Sequence, residues 1–240
     1  MIDPADAEAD RIRTVYAKRQ DGVRYSWFNP GHTYMMVQRE RRVLDLLGRH
    51  GFAELDSKKI LDVGCGIGQW ILDFIKWGAR PENITGTDLL ADRIARAKHN
   101  CPAGATLLVA NAARMTFPDE SFDLVVQSTV FTSILDQAVR REVAAQMFRV
   151  LKPDGLILWY DYYLDNPRNP NVRAATRREI RRLFPSATIE LHRVTLAPPL
   201  ARFLAPYSWA LCYLLEQLPL LRTHYLGAIR KRHLLRNGST

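Results

Sequence analysis

The 240 residues are 47% hydrophobic and 25% charged, ordinary values for a globular chain with enough apolar material for a proper core. The acidic start, Asp3 to Asp10, lacks the basic opening and apolar stretch of a signal peptide, and Cys65, Cys101 and Cys212 form no C-x-x-C pair. Neither a disulfide framework nor a zinc site is indicated, and a reducing, cytoplasmic setting is expected. The net charge of +9 is uneven: 13 basic and three acidic residues follow Asn166, against 21 and 22 before it. Such asymmetry fits an anionic partner and fits a solvated basic face equally well.

Along the chain, residues 4–20 suit a helix, and a second is expected from about Tyr34 to His50 with Val37, Leu44 and Leu47 as its apolar stripe. Between them residues 21–32 form a loop dense in aromatics and turn residues. A regular alternation follows: strand 59–64, helix 69–77, strand 83–88, helix 91–100, strand 106–110, strand 122–127, helix 137–151 and strand 156–160. Pro153 and Gly155 are expected to stop the last of these helices before its strand begins. Alternation at this spacing implies a parallel, doubly wound sheet. Beyond it come a polar turn-rich loop (161–171), a basic helix (176–183), a sixth strand (187–196) and a seventh (224–231). The apolar stretch 199–221 is interrupted by Arg202, Pro206, Glu216 and Pro219, so no clean run in it is long enough to span a membrane. One or two helices packed on the sheet or over an acceptor pocket are expected there, with peripheral membrane contact as the alternative.

The glycine turn organises the chain. Ile60-Leu61-Asp62-Val63 ends at Gly64-Cys65-Gly66-Ile67-Gly68, and helical spacing resumes with Ile71, Leu72, Phe74 and Ile75. A glycine-rich strand-to-helix turn lets a ligand approach the backbone, with helix N–H groups beside it. The dinucleotide fingerprint has its third glycine one residue later. D-x-G-x-G-x-G instead resembles the first motif of class I S-adenosylmethionine (SAM) methyltransferases, and later features agree in order. Asp88 closes the second strand, Asn111-Ala112 follows the third, Phe117 to Val126 resembles the F-x-D-x-x-F-D-x-V signature, and Lys152-Pro153-Asp154-Gly155 resembles the turn before strand five. The resemblance covers about residues 55–160.

It implies a Rossmann-like, doubly wound α/β sheet of seven strands, mostly parallel with the seventh antiparallel, forming a single methyltransferase domain. Within it, residues 1–52 would be an N-terminal helical lid, 53–165 the cofactor-binding core and 166–240 a C-terminal part with a helical insertion at 199–221. The implied cofactor is SAM, leaving as S-adenosylhomocysteine. Its implied site comprises Asp62, Gly64, Cys65, Gly66 and Gly68 at the methionine end, Asp88 on the ribose, and Leu89, Asn111 and Ala112 around the adenine. Gln127 would present its carbonyl to the ammonium, and Phe131 would wall the methyl group. Asn111 stands where the family usually carries an acid.

Direct displacement at the methyl group needs mainly alignment of the acceptor, plus a base if the acceptor is a hydroxyl. Asp161, His32 and Tyr162 are the candidate catalytic groups, each with a plain structural role as its competitor. Tyr16, Tyr25, Trp27 and Phe28 are candidate lid or pocket residues, and Arg168, Asn169, Asn171 and Arg173 candidate anion binders. The expected acceptor is a small or sugar-type molecule, anionic or lipid-linked, methylated on oxygen rather than nitrogen, by a monomer or homodimer. A nucleic-acid methyltransferase is the competing enzyme reading, but the (D/N)-P-P-aromatic motif is absent after strand four and no nucleic-acid module is visible. A non-catalytic SAM-binding protein is the third.

Overall fold

The computed structural model describes residues 3–18 and 25–232. The ends of the chain, and residues 19–24 of the expected first helix and lid loop, lie outside the described residues. Seven strands form one sheet in the order β3-β2-β1-β4-β5-β7-β6. They are β1 (Ile60–Val63), β2 (Ile84–Asp88), β3 (Thr106–Val109), β4 (Phe122–Ser128), β5 (Leu151–Tyr162), β6 (Ala187–Leu196) and β7 (Arg222–Lys231). β1 to β5 pair in parallel, whereas β7 runs antiparallel to both β5 and β6. All four residues of β1 are buried because the strand is covered on both faces, which is why it reads as a continuous apolar run around one acid. Chain order reverses between β1 and β4, and at such a switch point the strand C-termini open a crevice for a ligand.

Two cores flank the sheet. On one face α6 (Gln137–Val150) and α7 (Arg177–Leu183) pack over Val63, Val125, Ile157, Trp159 and Ile229. On the other α3 (Gln69–Lys76), α4 (Ala91–Asn100) and α2 (Pro30–Arg49) cover Ile60, Val126, Leu158 and Tyr160. Fully buried Arg140 of α6 donates to the carbonyls of Phe131, Ile134, Arg173 and Ala174 and to Glu179 at 2.7 Å. One guanidinium thereby ties α6, α7, the strand-five exit and the short α5 (Val130–Ser133) together.

α2 starts four residues before the expected point, because Asn29 accepts the Gly31 and His32 N–H groups and Pro30 fills the first turn. Its buried stripe is Tyr34, Met35, Arg39, Val43, Leu46 and Leu47; of the expected stripe only Leu47 is buried, while Val37 and Leu44 are exposed. The expected break at Lys152–Gly155 is a bulged part of β5 itself: Leu151 pairs with Phe122 and Leu156 with Leu124. Asp123 fastens this bulge, accepting from Lys152 at 2.8 Å and from the Lys59 N–H at 2.9 Å.

The apolar insertion forms α8 (Pro198–Leu204) and α9 (Trp209–Glu216). Both rest on α2, and α8 crosses it so closely that a Cβ on Gly31 would stand 2.4 Å from the Arg202 Cα. Among the described residues no helix is long and apolar enough to cross a membrane. α1 (Pro4–Ala17), capped by Asp3, lies over the C-terminal tips of β1, β2 and β4.

Candidate functional site

Gly64, Gly66 and Gly68 all have left-handed φ values, +72°, +57° and +92°, which side-chain-bearing residues rarely adopt. The turn they form is fastened to β2. The Gly64 and Cys65 N–H groups both donate to the Thr87 carbonyl, at 2.7 and 2.9 Å, and the Gly66 N–H donates to Asp88 at 2.9 Å. The other Asp88 oxygen accepts the Leu90 N–H at 2.9 Å. Burial raises the Asp88 pKa, and these two N–H groups work against the rise. Asp88 is therefore held rigidly, its orientation fixed before any ligand arrives.

Gly64, Asp88, Leu89, Asn111 and Ala112 line one cavity together with Ser128, Thr129 and Val130 from the tip of β4. Asn111 also caps the 3-10 turn after β3, its side-chain oxygen accepting the Ala113 N–H at 3.0 Å. The roof is α1, through Ala5, Glu8, Ala9, Ile12 and Tyr16. Glu8 fastens it by accepting the Leu135 N–H at 2.5 Å, and Tyr16 shares a 2.9 Å hydrogen bond with Ser133. Burial would raise the Glu8 pKa, but the Arg11 and Leu135 hydrogen bonds pull it below the usual value. The Arg93 guanidinium lies 4.5 Å over the Tyr16 ring, closing the roof onto α4.

Asp62 lies on the α2–α3 side of this turn, fully buried with neither carboxylate oxygen hydrogen-bonded. Burial, followed by the charge of Asp88, pushes its pKa up to about 8, and the Arg39 charge opposes the shift. Buried Arg39 donates to Asp73 at 2.8 Å and lies 4.4 Å over the Trp70 ring, leaving its Nε without a partner. Unpaired buried polar atoms are costly and call for an explanation. An orphaned carboxylate and an under-used guanidinium beside a glycine turn complement an ammonium and a carboxylate, the two ends of an α-amino acid. Glu8, Arg93 and Arg39 were not singled out from the sequence. Only Arg39 left a signal there, as a charge in register with Met35 and Val43 on the buried face of a helix.

Other expectations need correction. Phe131 is fully buried against Trp159, with ring centroids 4.5 Å apart, because α5 turns it into the core; Val130 faces the cavity instead. Cys65, Gly66, Gly68 and Gln127, like Asp62, lie outside the lining of this cavity. The Gln127 side chain accepts the Val130 N–H at 3.2 Å, and a Cβ on Gly68 would strike Cys101 Sγ at 2.4 Å, so both shape the turn from behind.

Asp161 is buried away from the cavity and saturated by the Thr132 hydroxyl and N–H and by the Tyr162 N–H at 2.8 Å, an arrangement that removes it as a base candidate. Tyr162 packs 3.8 Å from the His224 ring, which Tyr160 stacks at 4.7 Å. His32 meets Tyr25 and Trp27 edge to face, and burial with the Arg39 and Arg202 charges lowers its pKa. Phe28 is 97% exposed and walls nothing. Asn166 and Asn169 close turns on the Arg168 and Asn171 N–H groups, so their side-chain oxygens shape the loop. Arg173 lines a separate groove between α6 and α7 with Arg141, Arg178 and Arg182.

Residues 60–155 match the family of methyltransferase domains. The core of this chain is a class I methyltransferase domain. An uncharacterized protein of Haemophilus influenzae is 34% identical over 141 residues, 56% of this chain and 54% of that protein. A sterol 24-C-methyltransferase of Gibberella zeae is 30% identical over 190 residues, 72% of this chain and 46% of that enzyme. The chain thus spans about half the length of these curated relatives. A phosphoethanolamine N-methyltransferase of Haemonchus contortus, solved with phosphoethanolamine and S-adenosylhomocysteine, superposes with a TM-score of 0.66 at 15% identity. That match covers 98% of this chain and 52% of the other, and at such identity it is a likeness of fold. The glycine turn, Asp88 and the cavity beside them lie at the strand C-termini where the strand order reverses.

Proposed function

We propose that this methyltransferase domain binds SAM and directs its methyl group to a small-molecule acceptor, preferentially at oxygen. The observation that carries the reading is the buried Asp62 carboxyl with no hydrogen-bond partner and the buried Arg39 Nε without one, beside a glycine turn whose cavity presents Asp88 and Asn111. In this reading Asp62 receives the ammonium and Arg39 the carboxylate of the methionine end. Asp88 accepts from the ribose hydroxyls, and Leu89, Ala112 and the remaining lone pair of Asn111 contact the adenine. When bound, SAM supplies an electrophilic methyl group on a sulfonium, so that transfer is a single in-line displacement.

The protein's own contribution is placement. Rigid fixing of Asp88 and the turn before binding lowers the ordering cost of holding donor and acceptor in line. The roof formed by α1 excludes water from the adenosine end. A hydroxyl acceptor must lose its proton, and His32, kept neutral by burial and by the two arginines, is the base in this reading. Tyr25 and Trp27 at its ring are then the acceptor-side contacts, and Tyr162 an orienting group.

Titration calorimetry with S-adenosylhomocysteine tests the cofactor half: micromolar binding by the intact chain and its loss in Asp88→Ala are expected. Absence of binding up to millimolar ligand overturns it. A screen of metabolite extracts with labelled methyl donor tests the acceptor half. Label appearing in macromolecular RNA rather than in small molecules would overturn that half alone.

A further inference from the structure

α8 and α9 bury only a thin stripe against α2, chiefly Ala201, Ala205 and Cys212 over Tyr34 and Met35. The rest of the segment's surface is largely apolar and open: Phe203 of α8 is 69% exposed and Leu214 of α9 65%, and Tyr207 and Leu220 in the turns after these helices are 82% and 86% exposed. The sequence of α9, WALCYLLE, is apolar nearly all round, yet only Cys212 and Glu216 are buried. A helix apolar on every side is ordinarily enclosed by a core or by lipid. Exposed apolar surface of this extent marks an interaction site.

Charge identifies the partner. Between Leu191 and Arg232 the one acidic residue is Glu216, which is buried and accepts from the Tyr34 hydroxyl at 2.6 Å. Arg202 lies on α8, and Arg193 and Arg222 lie near the adjoining ends of β6 and β7, where Arg222 donates to the Arg193 carbonyl. Arg41 of α2 adds a guanidinium 5.5 Å over the Tyr213 ring. The α8–α9 segment therefore combines open aromatic and aliphatic groups with neighbouring cations, and its own one acid is buried. A second copy docked through this face would set the same arginines against one another, an unfavourable isologous contact. An anionic lipid surface accepts both features: rings settle at headgroup level, and guanidinium groups reach the phosphates. Since no described helix is long and apolar enough to cross a bilayer, the contact lies in the plane of the membrane.

We propose that the α8–α9 face docks the protein on an anionic lipid bilayer. This inference does not depend on the methylation reading. The test is co-sedimentation with phosphatidylcholine vesicles prepared with and without phosphatidylglycerol. Binding to the anionic vesicles is expected to exceed binding to the neutral ones by at least about tenfold and to weaken as salt is raised. The triple variant Phe203→Ser/Leu214→Ser/Leu220→Ser should lose about tenfold or more of that affinity while retaining wild-type melting and S-adenosylhomocysteine binding. In the unmodified chain, vesicles with brominated acyl chains should quench tryptophan fluorescence, and Trp209→Phe should remove most of the effect. No sedimentation with anionic vesicles, unchanged binding by the triple variant, or no quenching overturns the proposal. So does a stable dimer in light scattering that the triple variant dissolves, since a second copy would then cover the face.

Discussion

Asp62 and His224 are ionisable groups enclosed by the fold, and they push stability in opposite directions with pH. Between about pH 4 and pH 8 the unfolded chain carries a charged Asp62, whereas the folded chain, its pKa raised to about 8, retains the proton. The native state binds the extra proton, so this residue lowers stability progressively as pH rises through that window. Asp62→Asn should therefore raise the melting temperature of the ligand-free chain at pH 8 by roughly 4–8 °C, corresponding to about 2 kcal/mol, with the gain shrinking toward pH 4. The same variant should weaken SAM binding by roughly 10- to 100-fold, the worth of a hydrogen bond to a charge. Because a bound ammonium favours the carboxylate, binding to the native chain should release a proton below pH 8. Calorimetry in buffers of different ionisation enthalpy measures that release directly.

At the scale of elements, α1 and α6 are held by single polar residues whose loss should have different signatures. Glu8 fastens α1 through backbone N–H groups of the α5–α6 connection. Glu8→Ala should leave the sheet core intact but loosen the roof, raising the S-adenosylhomocysteine Kd by about tenfold for an effect near 1.4 kcal/mol. Arg140 instead joins α5, α6, α7 and the β5 exit, and its Glu179 partner is mostly enclosed. Arg140→Ala strands one buried carboxylate and several carbonyls, so destabilisation of about 3–5 kcal/mol is expected in urea unfolding. Helix existence was legible from period and caps, whereas helix orientation was less so. The stripe of α2 was misassigned because its buried face includes Arg39, and a charge does not register as core in a hydrophobic pattern. Phe131 was misplaced for a related reason: nothing in Thr129-Val130-Phe131 shows that Thr129 adopts φ +57° and starts a short helix that turns Phe131 inward.

For the molecule as a whole, acid sensitivity should centre on the junction of β5 and β7. Burial, with the Arg39 charge, drives the His224 pKa down to about 3. Below pH 6.5 the unfolded chain gains a proton that the folded chain refuses, so stability is fully present above that pH and falls as pH drops toward 3. The loss attributable to His224 should reach roughly 3 kcal/mol near pH 4, and His224→Phe should flatten the melting curve between pH 6.5 and 4. The sequence shows this histidine only as one residue of an alternating strand. Its setting depends on β7 entering between β5 and β6, a pairing of segments far apart in the chain.

The sequence by itself determined the alternation of strands and helices, the glycine turn and the positions of Asp88, Asn111 and Ala112 at strand ends. These follow from local backbone demands and from periodicities that short stretches carry complete. Only the tertiary structure decided which groups share the site. It set Arg39 of α2 near Asp62 of β1, roofed the cavity with α1, withdrew Asp161 and Phe131 into the interior and left one face of the insertion open. Each of these depends on the burial and charge of side chains brought together from distant parts of the chain, which no local pattern records.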